Sequence, residues 1–215
     1  MGRQEQTNHL FSNRDLRILL VPLIVEQILN SLMGTADSIM VSNVGSAAIS
    51  AVSLVDAINI LVIQAFYALA AGGTIVCSQY IGQKDKKNAE ESARQLSFVV
   101  ACISSTVMAV CLLTRGPLLR LIFGSVEADV MEAAQIYFFY TALSFPFIAL
   151  YDAGSSIYRA QGNTRLPMTI AVVSNGLNIA GNAVLIWGFH LGVAGAAIAT
   201  LGSRVISAVV VFAFL

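Results

Sequence analysis

Two carboxylates stand inside the first long apolar run of the sequence, where ionisable side chains are rare. Glu26 and Asp37 are 11 residues apart, about three turns of an α-helix, so they share one face with Asn30 between them. An aspartate at the middle of a membrane helix costs at least ~2.5–3.5 kcal/mol on insertion scales. Such a residue persists where it is paired, hydrated or functional, so we expect this face to border a hydrated interior.

A second polar stripe, without charge, is formed by asparagines in a later apolar run. Asn175, Asn178 and Asn182 are three and four residues apart, which stacks them on one face of a helix. Their amides can bridge neighbouring helices, each bond contributing ~0.6–2 kcal/mol, and their carbonyl oxygens can ligate cations. The pattern leaves both roles open.

Depth in the membrane decides whether these side chains can meet. With a rise of about 1.5 Å per residue, Asp37, Asn182, Thr200 and Tyr137 all fall in the outer half of a bilayer. Residues on four helices at overlapping depth can form a single pocket, and we predict that these four do. The alternatives are a helix-end cap for Asp37 and an interfacial or core position for Tyr137.

Other polar residues of the apolar runs also allow two interpretations. Glu26 either faces the hydrated interior or extends its carboxylate to the cytoplasmic interface. Asp56 and Asn59 either face the interior or lie at the outer end of their helix. For Asp152, near the inner interface, the simplest expectation is an ion pair with Arg159.

Composition places the chain in a membrane. Hydrophobic residues make up 57% of the sequence and charged residues 11%, whereas a soluble protein has roughly a quarter charged residues. A bilayer core about 30 Å thick requires ~20 apolar residues per helix. We therefore predict an all-α polytopic membrane protein, with a bundle of six transmembrane helices at 17–215 after a cytoplasmic segment at 1–16. The predicted spans are 17–41, 50–78, 94–114, 130–153, 167–188 and 193–214.

Basic residues predict the orientation, because they concentrate on the cytoplasmic side of membrane proteins. With the N-terminus inside, nine Lys and Arg residues are cytoplasmic, whereas only Arg115 and Arg120 are external. Both ends of the chain are therefore predicted to be cytoplasmic, in a multi-pass protein of the cell membrane. The nine are Arg3, Arg14, Arg17, Lys84, Lys86, Lys87, Arg94, Arg159 and Arg165.

The sequence also predicts what the chain does not do. It has no phosphate-binding G-x-x-x-x-G-K-[ST] loop, no H-E-x-x-H and no C-x-x-C, and no constellation of nucleophile, base and orienting group. We therefore predict that it is not an enzyme and needs no cofactor. The formal net charge of zero argues against a nucleic-acid partner, which would require a basic face.

Three stretches resemble the MATE family (multidrug and toxic compound extrusion), in the same order and spacing. The first is Pro22-Leu-Ile-Val-Glu-Gln27, followed by Gly34-Thr-Ala-Asp37. The second is Tyr158-Arg-Ala-Gln-Gly162-Asn-Thr-Arg-Leu-Pro167-Met. The third is Asn178-Ile-Ala-Gly-Asn182, followed by Gly192-Val-Ala-Gly-Ala-Ala-Ile-Ala-Thr200.

The resemblance implies a fold and a function. Members have two six-helix bundles related by a pseudo-twofold axis, and this chain is similar to the N-terminal bundle. The family exports amphipathic, often cationic drugs in exchange for Na⁺ or H⁺. The resemblance therefore implies a secondary antiporter, embedded in a lipid bilayer, whose partner is a second six-helix bundle. That bundle is either a C-terminal half or a second copy of this chain.

The resemblance also assigns roles to residues. Asp37 matches the acidic cation site of the N-terminal bundle, Asn178 and Thr200 match its partners, and Tyr137 matches a nearby aromatic residue. Asn182 stands where many members have an aspartate. Asp37 and Asn178 would hold Na⁺ if the coupling ion is sodium. Pro22 matches the proline at which the first helix bends when the acidic site changes protonation. For the drug pathway we assign Gln27, Glu26, Asn30, Asn59 and Asn175.

The sequence alone leaves two other functions open. A flippase for lipids or lipid-linked oligosaccharides would need an arginine-lined groove for pyrophosphate, and only Arg204 falls within a predicted span. A truncated half-transporter that does not transport is the other alternative, because the sequence stops at Leu215 directly after an apolar run.

Overall fold

The structure of the protein is a computed structural model that describes residues 13–214. Most of the predicted cytoplasmic segment, residues 1–12, lies outside the described residues. Within them the chain is almost entirely helical and contains no strand. The helices are α1 (Asn13–Ser42), α2 (Ser46–Gly82), α3 (Lys86–Phe123), α4 (Ala128–Leu143), α5 (Phe145–Ala160), α6 (Arg165–Asn182), a π-helical turn (Ala183–Gly188) and α7 (Gly192–Ala213).

Five of these helices, α1, α2, α3, α6 with the π-helical turn, and α7, are each long and apolar enough to cross a bilayer. The bent pair α4 and α5 meets the same criterion when its two helices are counted as one span, which would be the sixth. Large apolar side chains cover the outside, and Leu113 and Leu121 are each 85% exposed, as expected for a surface that faces lipid. The predicted all-α polytopic membrane fold is confirmed.

The fourth predicted span, 130–153, is not one continuous helix. It bends by 42° between α4 and α5, with Ser144 at the corner. Pro146 causes the bend, because it cannot donate the backbone hydrogen bond that would continue the helix and it disfavours the helical conformation of the residue before it. The helix then runs on to Ala160, beyond the predicted end.

Helix α3 extends beyond its predicted span, 94–114, at both ends. Asp85 caps its start, since the carboxylate accepts a hydrogen bond of 3.2 Å from the backbone N–H of Asn88. Lys86 and Glu90 form an exposed i,i+4 pair at 3.8 Å in the first turns. The polar segment between the second and third predicted spans is therefore mostly helical. Apolar residues indicate which part of a helix lies in the membrane, but they do not indicate where the helix begins or ends.

The helices pack in two groups that α7 joins. Helix α2 contacts α3, α4 and α5, whereas α1 packs mainly against α6, and α7 contacts α4, α5 and α6. The main apolar core lies between α2, α3, α4 and α5 and includes the fully buried Phe138 and Phe145.

Helix α1 has few buried residues, and two of them are acidic. Its buried residues in the described part are Pro22, Glu26, Asp37, Met40 and Val41. The remaining apolar side chains of α1 are largely exposed. The polar contacts of Glu26 and Asp37 therefore provide a large share of the interactions that hold α1 against the rest of the bundle.

The π-helical turn brings α6 and α7 into close contact. It follows Asn182 directly, and the N–H of Phe189 donates to the carbonyl of Val184 at 3.0 Å, five residues back. Against this turn lies Gly195 of α7, where an added Cβ would stand 3.0 Å from the carbonyl carbon of Leu185. A residue without a side chain is thus required for α7 to approach at this depth.

Candidate functional site

Asp37 of α1 lies at the centre of a buried polar cluster, the Asp37 cluster, which comprises Asp37, Asn178, Asn182 and Thr200. Asn182 donates a short amide hydrogen bond to Asp37 Oδ1 and a longer one, 3.4 Å, to Asn178 Oδ1. Asn178 in turn donates to the Thr200 hydroxyl at 3.2 Å. Each of the four side chains is at most 5% exposed. The structure therefore brings together three helices, α1, α6 and α7, at one carboxylate.

Local helix geometry explains the arrangement. Asn178 and Asn182 are four residues apart on α6, so their amides stack along the helix and form a continuous chain of hydrogen bonds. Thr200 reaches Asn178 because α7 lies close to α6, and an added Cβ at Gly181 would stand 3.0 Å from the Ala199 side chain. The small residues Gly181 and Ala199 thus allow the Thr200 hydroxyl to come within reach of Asn178.

The Asp37 cluster has more oxygen acceptors than donors to satisfy them. Asn182 Oδ1 is buried and has no hydrogen-bond partner. Asp37 forms no ion pair within 4.0 Å among the described residues. Carboxylate, amide and hydroxyl oxygens suit a hard cation such as Na⁺. With one carboxylate, the cluster also suits a proton better than a divalent metal, and in residues 13–214 no three His, Cys, Asp or Glu side chains lie so that they could hold a metal ion together.

Tyr137 makes its contact with a neighbouring carboxylate and not with Asp37. Its hydroxyl donates to Asp56 Oδ1 at 3.3 Å, and Asn59 donates to the same oxygen at 3.3 Å. Tyr137 is therefore bonded to Asp56 and not to the Asp37 cluster, although Asp37 also lies within electrostatic range of its hydroxyl. The single pocket that includes Tyr137 stays a prediction. Asn59 is buried and its own Oδ1 has no partner. The sequence left open whether Asp56 and Asn59 face the interior or lie at the outer end of their helix, and the contact of Asp56 with Tyr137 and the burial of Asn59 favour the interior.

Arg204 is a residue that the sequence analysis left without a role. It lies on α7, and its Nη1 donates to the Ser144 hydroxyl at 2.7 Å, at the corner between α4 and α5. Its Nε is buried without a partner. Asp37, Asp56 and Asp152 all interact with its charge, so one guanidinium serves several carboxylates at longer range.

The predicted drug-pathway residues are divided between the interior and the outside. Asn175 is buried, and its Nδ2 has no partner. Gln27 and Asn30 are exposed on α1. Asn30 is therefore not buried with Glu26 and Asp37, and the hydrated interior expected along this face of α1 stays a prediction. The buried stripe of α1 is narrow because α1 packs mainly against α6, and Asn30 lies at its edge, about 40° around the helix from Glu26.

Glu26 belongs to a second polar cluster, three turns from Asp37, which we call the Glu26 cluster and which comprises Glu26, Arg159, Tyr151 and Asp152. Arg159 Nη1 lies 3.2 and 3.1 Å from the two oxygens of Glu26, and the Tyr151 hydroxyl lies 3.2 Å from Oε1. Arg159 thus pairs with Glu26, and the expected pair with Asp152 is not formed. The side chain of Glu26 is 7% exposed, so it faces the interior of the bundle in this structure.

Pro22 lies one turn before Glu26, inside the continuous helix α1. A proline has no N–H to donate to the carbonyl four residues earlier, which is that of Ile18. The buried hydroxyl of Thr164, in the turn between α5 and α6, lies 3.3 Å from this carbonyl and donates to it. A side chain from elsewhere in the fold therefore replaces the hydrogen bond that Pro22 removes.

Known proteins with a related sequence are membrane transporters. The family model described as MatE matches residues 22–184. An uncharacterized transporter of Bacillus subtilis, YisQ, is 34% identical over 206 residues, covering 94% of this chain and 44% of the relative. The probable multidrug resistance protein NorM of Thermotoga maritima is 28% identical over 202 residues, covering 91% of this chain and 42% of the relative.

Known structures give the same result. The crystal structure of MATE in complex with MaL6 has a TM-score of 0.88 at 25% identity, covering 94% of this chain and 44% of that chain. The chain thus spans a little under half the length of the proteins it matches. These matches confirm the resemblance carried by the sequence motifs. The chain belongs to the MatE family, whose members are membrane transporters and, as predicted, not enzymes.

Proposed function

We propose that this chain is the N-terminal six-helix bundle of a cation-coupled multidrug exporter and that the Asp37 cluster binds the coupling ion. One observation supports this most directly. The buried Asp37 carboxylate is held by neutral groups, next to an amide oxygen of Asn182 that has no partner. A cation or proton at this point would neutralise the carboxylate and satisfy that oxygen.

Either ion of the family fits this set of groups. For Na⁺, the ligands would be oxygens of Asp37, Asn178, Asn182 and Thr200. For a proton, the amide of Asn182 provides both a donor and an acceptor. It donates to the ionised carboxylate and, after turning over, accepts from the protonated one. The Asp37 cluster would thus respond to the charge state of Asp37.

Coupling requires that the ion bind one conformation of the transporter better than another. Helix α1 carries both Asp37 and Pro22, so it is the helix that ion binding at the Asp37 cluster would affect. Few of its residues are buried. Neutralising Asp37 weakens its hydrogen bond to α6. We propose that α1 then bends at Pro22 and changes the access of the drug pathway.

The drug pathway would lie where this bundle faces a second six-helix bundle. Gln27 and Asn30 are exposed polar residues on the apolar helix α1, which supports a hydrated surface there. The substrates would be small amphipathic, often cationic drugs. The second bundle would be either a C-terminal half or a second copy of this chain.

The distribution of basic residues supports a location in the cell membrane with both ends of the chain in the cytoplasm. Nine Lys and Arg residues then lie inside and two lie outside. In this orientation the Asp37 cluster is in the outer half of the bilayer, and the Glu26 cluster is in the cytoplasmic half.

A transport assay with Asp37→Asn tests the proposal. The full-length protein that carries this bundle is reconstituted into liposomes, and ethidium movement is driven by a Na⁺ gradient alone or by a pH gradient alone. We expect one gradient to drive transport in the wild type. Asp37→Asn should reduce gradient-driven transport about 5- to 150-fold, the range of a typical coupling free energy.

The matched control is Asp129→Asn, which makes the same substitution at an exposed carboxylate in the first turn of α4. It should transport like the wild type. Full gradient dependence in Asp37→Asn would contradict the assigned role of Asp37. Ethidium transport by neither gradient in the wild type would contradict the antiport itself.

A further inference from the structure

The Glu26 cluster contains two carboxylates but only one cation within ion-pairing distance. Nη1 of Arg159 donates to both oxygens of Glu26, and its Nη2 donates to the Ser156 hydroxyl at 3.2 Å. Its guanidinium also lies over the ring of Tyr67, 5.9 Å from the centroid. The arginine therefore already contacts side chains of α1, α5 and α2.

Asp152 is left without a counter-ion. It is 9% exposed, and its Oδ2 has no hydrogen-bond partner. No ion pair joins it to any side chain among residues 13–214 within 4.0 Å. An ionised carboxylate that is buried in a membrane bundle without a counter-ion is strongly destabilised.

Among residues 13–214, few charged or titratable groups interact with Asp152. They are Glu26 on α1, Tyr151 and Arg159 on α5, and Arg204 on α7, and Tyr67 on α2 reaches this group only through Arg159. Arg204 donates to Ser144 and is shared with Asp37 and Asp56. It therefore does not serve as a dedicated counter-ion for Asp152.

We propose that Glu26, Asp152 and Arg159 form a second proton-binding site, in the cytoplasmic half of the bundle, where two carboxylates share one proton and one guanidinium. In the conformation described, Arg159 pairs with Glu26 and the proton is on Asp152. The role of this site in transport rests on the function proposed above, but proton binding itself does not.

The geometry allows the proton and the guanidinium to exchange places. Asp152 and Arg159 are seven residues, about two turns, apart on one face of α5. The guanidinium can therefore turn from Glu26 to Asp152 on its own helix. Asp152 then releases its proton and Glu26 takes one up, so that two positive charges balance two carboxylates in both arrangements.

This exchange lets α1 separate from α5 without leaving a buried charge unpaired. Breaking a buried ion pair by removing one partner is strongly destabilising, because it leaves the other charge buried and unpaired. Protonated Glu26 leaves as a neutral group, while Arg159 remains paired with Asp152. The movement of α1 is thereby linked to proton exchange on the cytoplasmic side.

Infrared spectroscopy tests the site directly, without a transport assay. The full-length protein, in lipid nanodiscs at neutral pH, carries ¹³C-labelled aspartate carboxyl groups, so that protonated aspartate bands separate from those of glutamate. All variants are made in the Asp37→Asn background, which removes the signal of Asp37. We expect Asp152→Asn to remove one protonated-aspartate band from the spectrum of this background.

Glu26→Gln gives the sharper prediction. It keeps the size of the side chain but removes its charge, so Arg159 becomes free to pair with Asp152. The same band should therefore disappear although Asp152 is still present. Asp129→Asn, at an exposed site, should leave the band unchanged.

Two results would overturn the proposal. If Asp152→Asn leaves the band intact, Asp152 carries no proton. If the band survives in Glu26→Gln, the two carboxylates do not share Arg159. Elution profile and thermal midpoint of each variant exclude misfolding as the cause of a lost band. Because the spectra do not depend on transport, they leave the proposed role of Asp37 untouched.

Discussion

Asp37 and Glu26 lie on the same buried stripe of α1, yet their carboxylates have different partners. Asp37 is held by the amide of Asn182, in a cluster completed by Asn178 and Thr200. Glu26 is held by the guanidinium of Arg159 and the hydroxyl of Tyr151. Neutral donors orient a carboxylate but leave its charge in place, whereas an arginine neutralises it. The Asp37 cluster is therefore suited to bind a cation, and the pair at Glu26 is suited to hold the helix.

Among the variants that test this difference between the two clusters, the largest loss of stability is expected at Arg159. Arg159→Gln leaves Glu26 buried without a cation and should lower the free energy of unfolding by about 3–5 kcal/mol. The double variant Glu26→Gln/Arg159→Gln should recover most of this loss, because no charge is left unpaired. Reversible unfolding in detergent micelles measures both.

Arg165→Gln is the matched control, since Arg165 is an exposed arginine at the start of α6. It should unfold like the wild type. A double variant as unstable as Arg159→Gln would show that the arginine stabilises the bundle by packing and not by its charge.

A smaller effect is expected in the Asp37 cluster. Thr200→Val removes the acceptor of the Asn178 amide and should cost about 0.6–1.7 kcal/mol, as for other hydrogen bonds between membrane helices. Thr114→Val, at an exposed residue bonded only to its own helix, should cost less. Equal losses of stability in the two variants would mean that the bond between α6 and α7 does not hold the cluster.

The smallest effect on stability is expected at Asn30, which lies on α1 between the two clusters. Asn30 is exposed on α1, so Asn30→Ala should change the free energy of unfolding by less than about 0.5 kcal/mol. If Asn30 lines the drug pathway, the same variant should weaken ethidium binding to the full-length protein. Loss of stability without loss of binding would place Asn30 in an interface between helices instead.

The sequence predicted the Asp37 cluster well because its information is local and periodic. The four-residue spacing of Asn178 and Asn182 places both on one face, and the rise per residue places Asp37 and Thr200 at a similar depth. The apolar runs likewise predicted the spans, although not the bend at Ser144, where Pro146 was the available signal.

The Glu26 cluster was out of reach for the same reasoning. Its ion pair joins residues 133 positions apart, and no periodicity indicates which of two carboxylates an arginine selects. Asp152 is closer in sequence to Arg159 and was therefore expected as its partner. The actual choice depends on how α1 packs against α6 and α2, because this packing brings Glu26 within reach of Arg159, and only the three-dimensional structure provides it.

The hydroxyl of Thr164 has a consequence for how α1 can move. A proline usually leaves its helix with an unsatisfied carbonyl, and the chain on both sides of it is then loosened. Here Thr164 supplies the missing donor to Ile18, so the part of α1 before Pro22 stays anchored to the turn that follows α5. In the bending motion proposed for α1, the arm that moves would therefore begin after the proline and would carry both Glu26 and Asp37 as its two points of attachment.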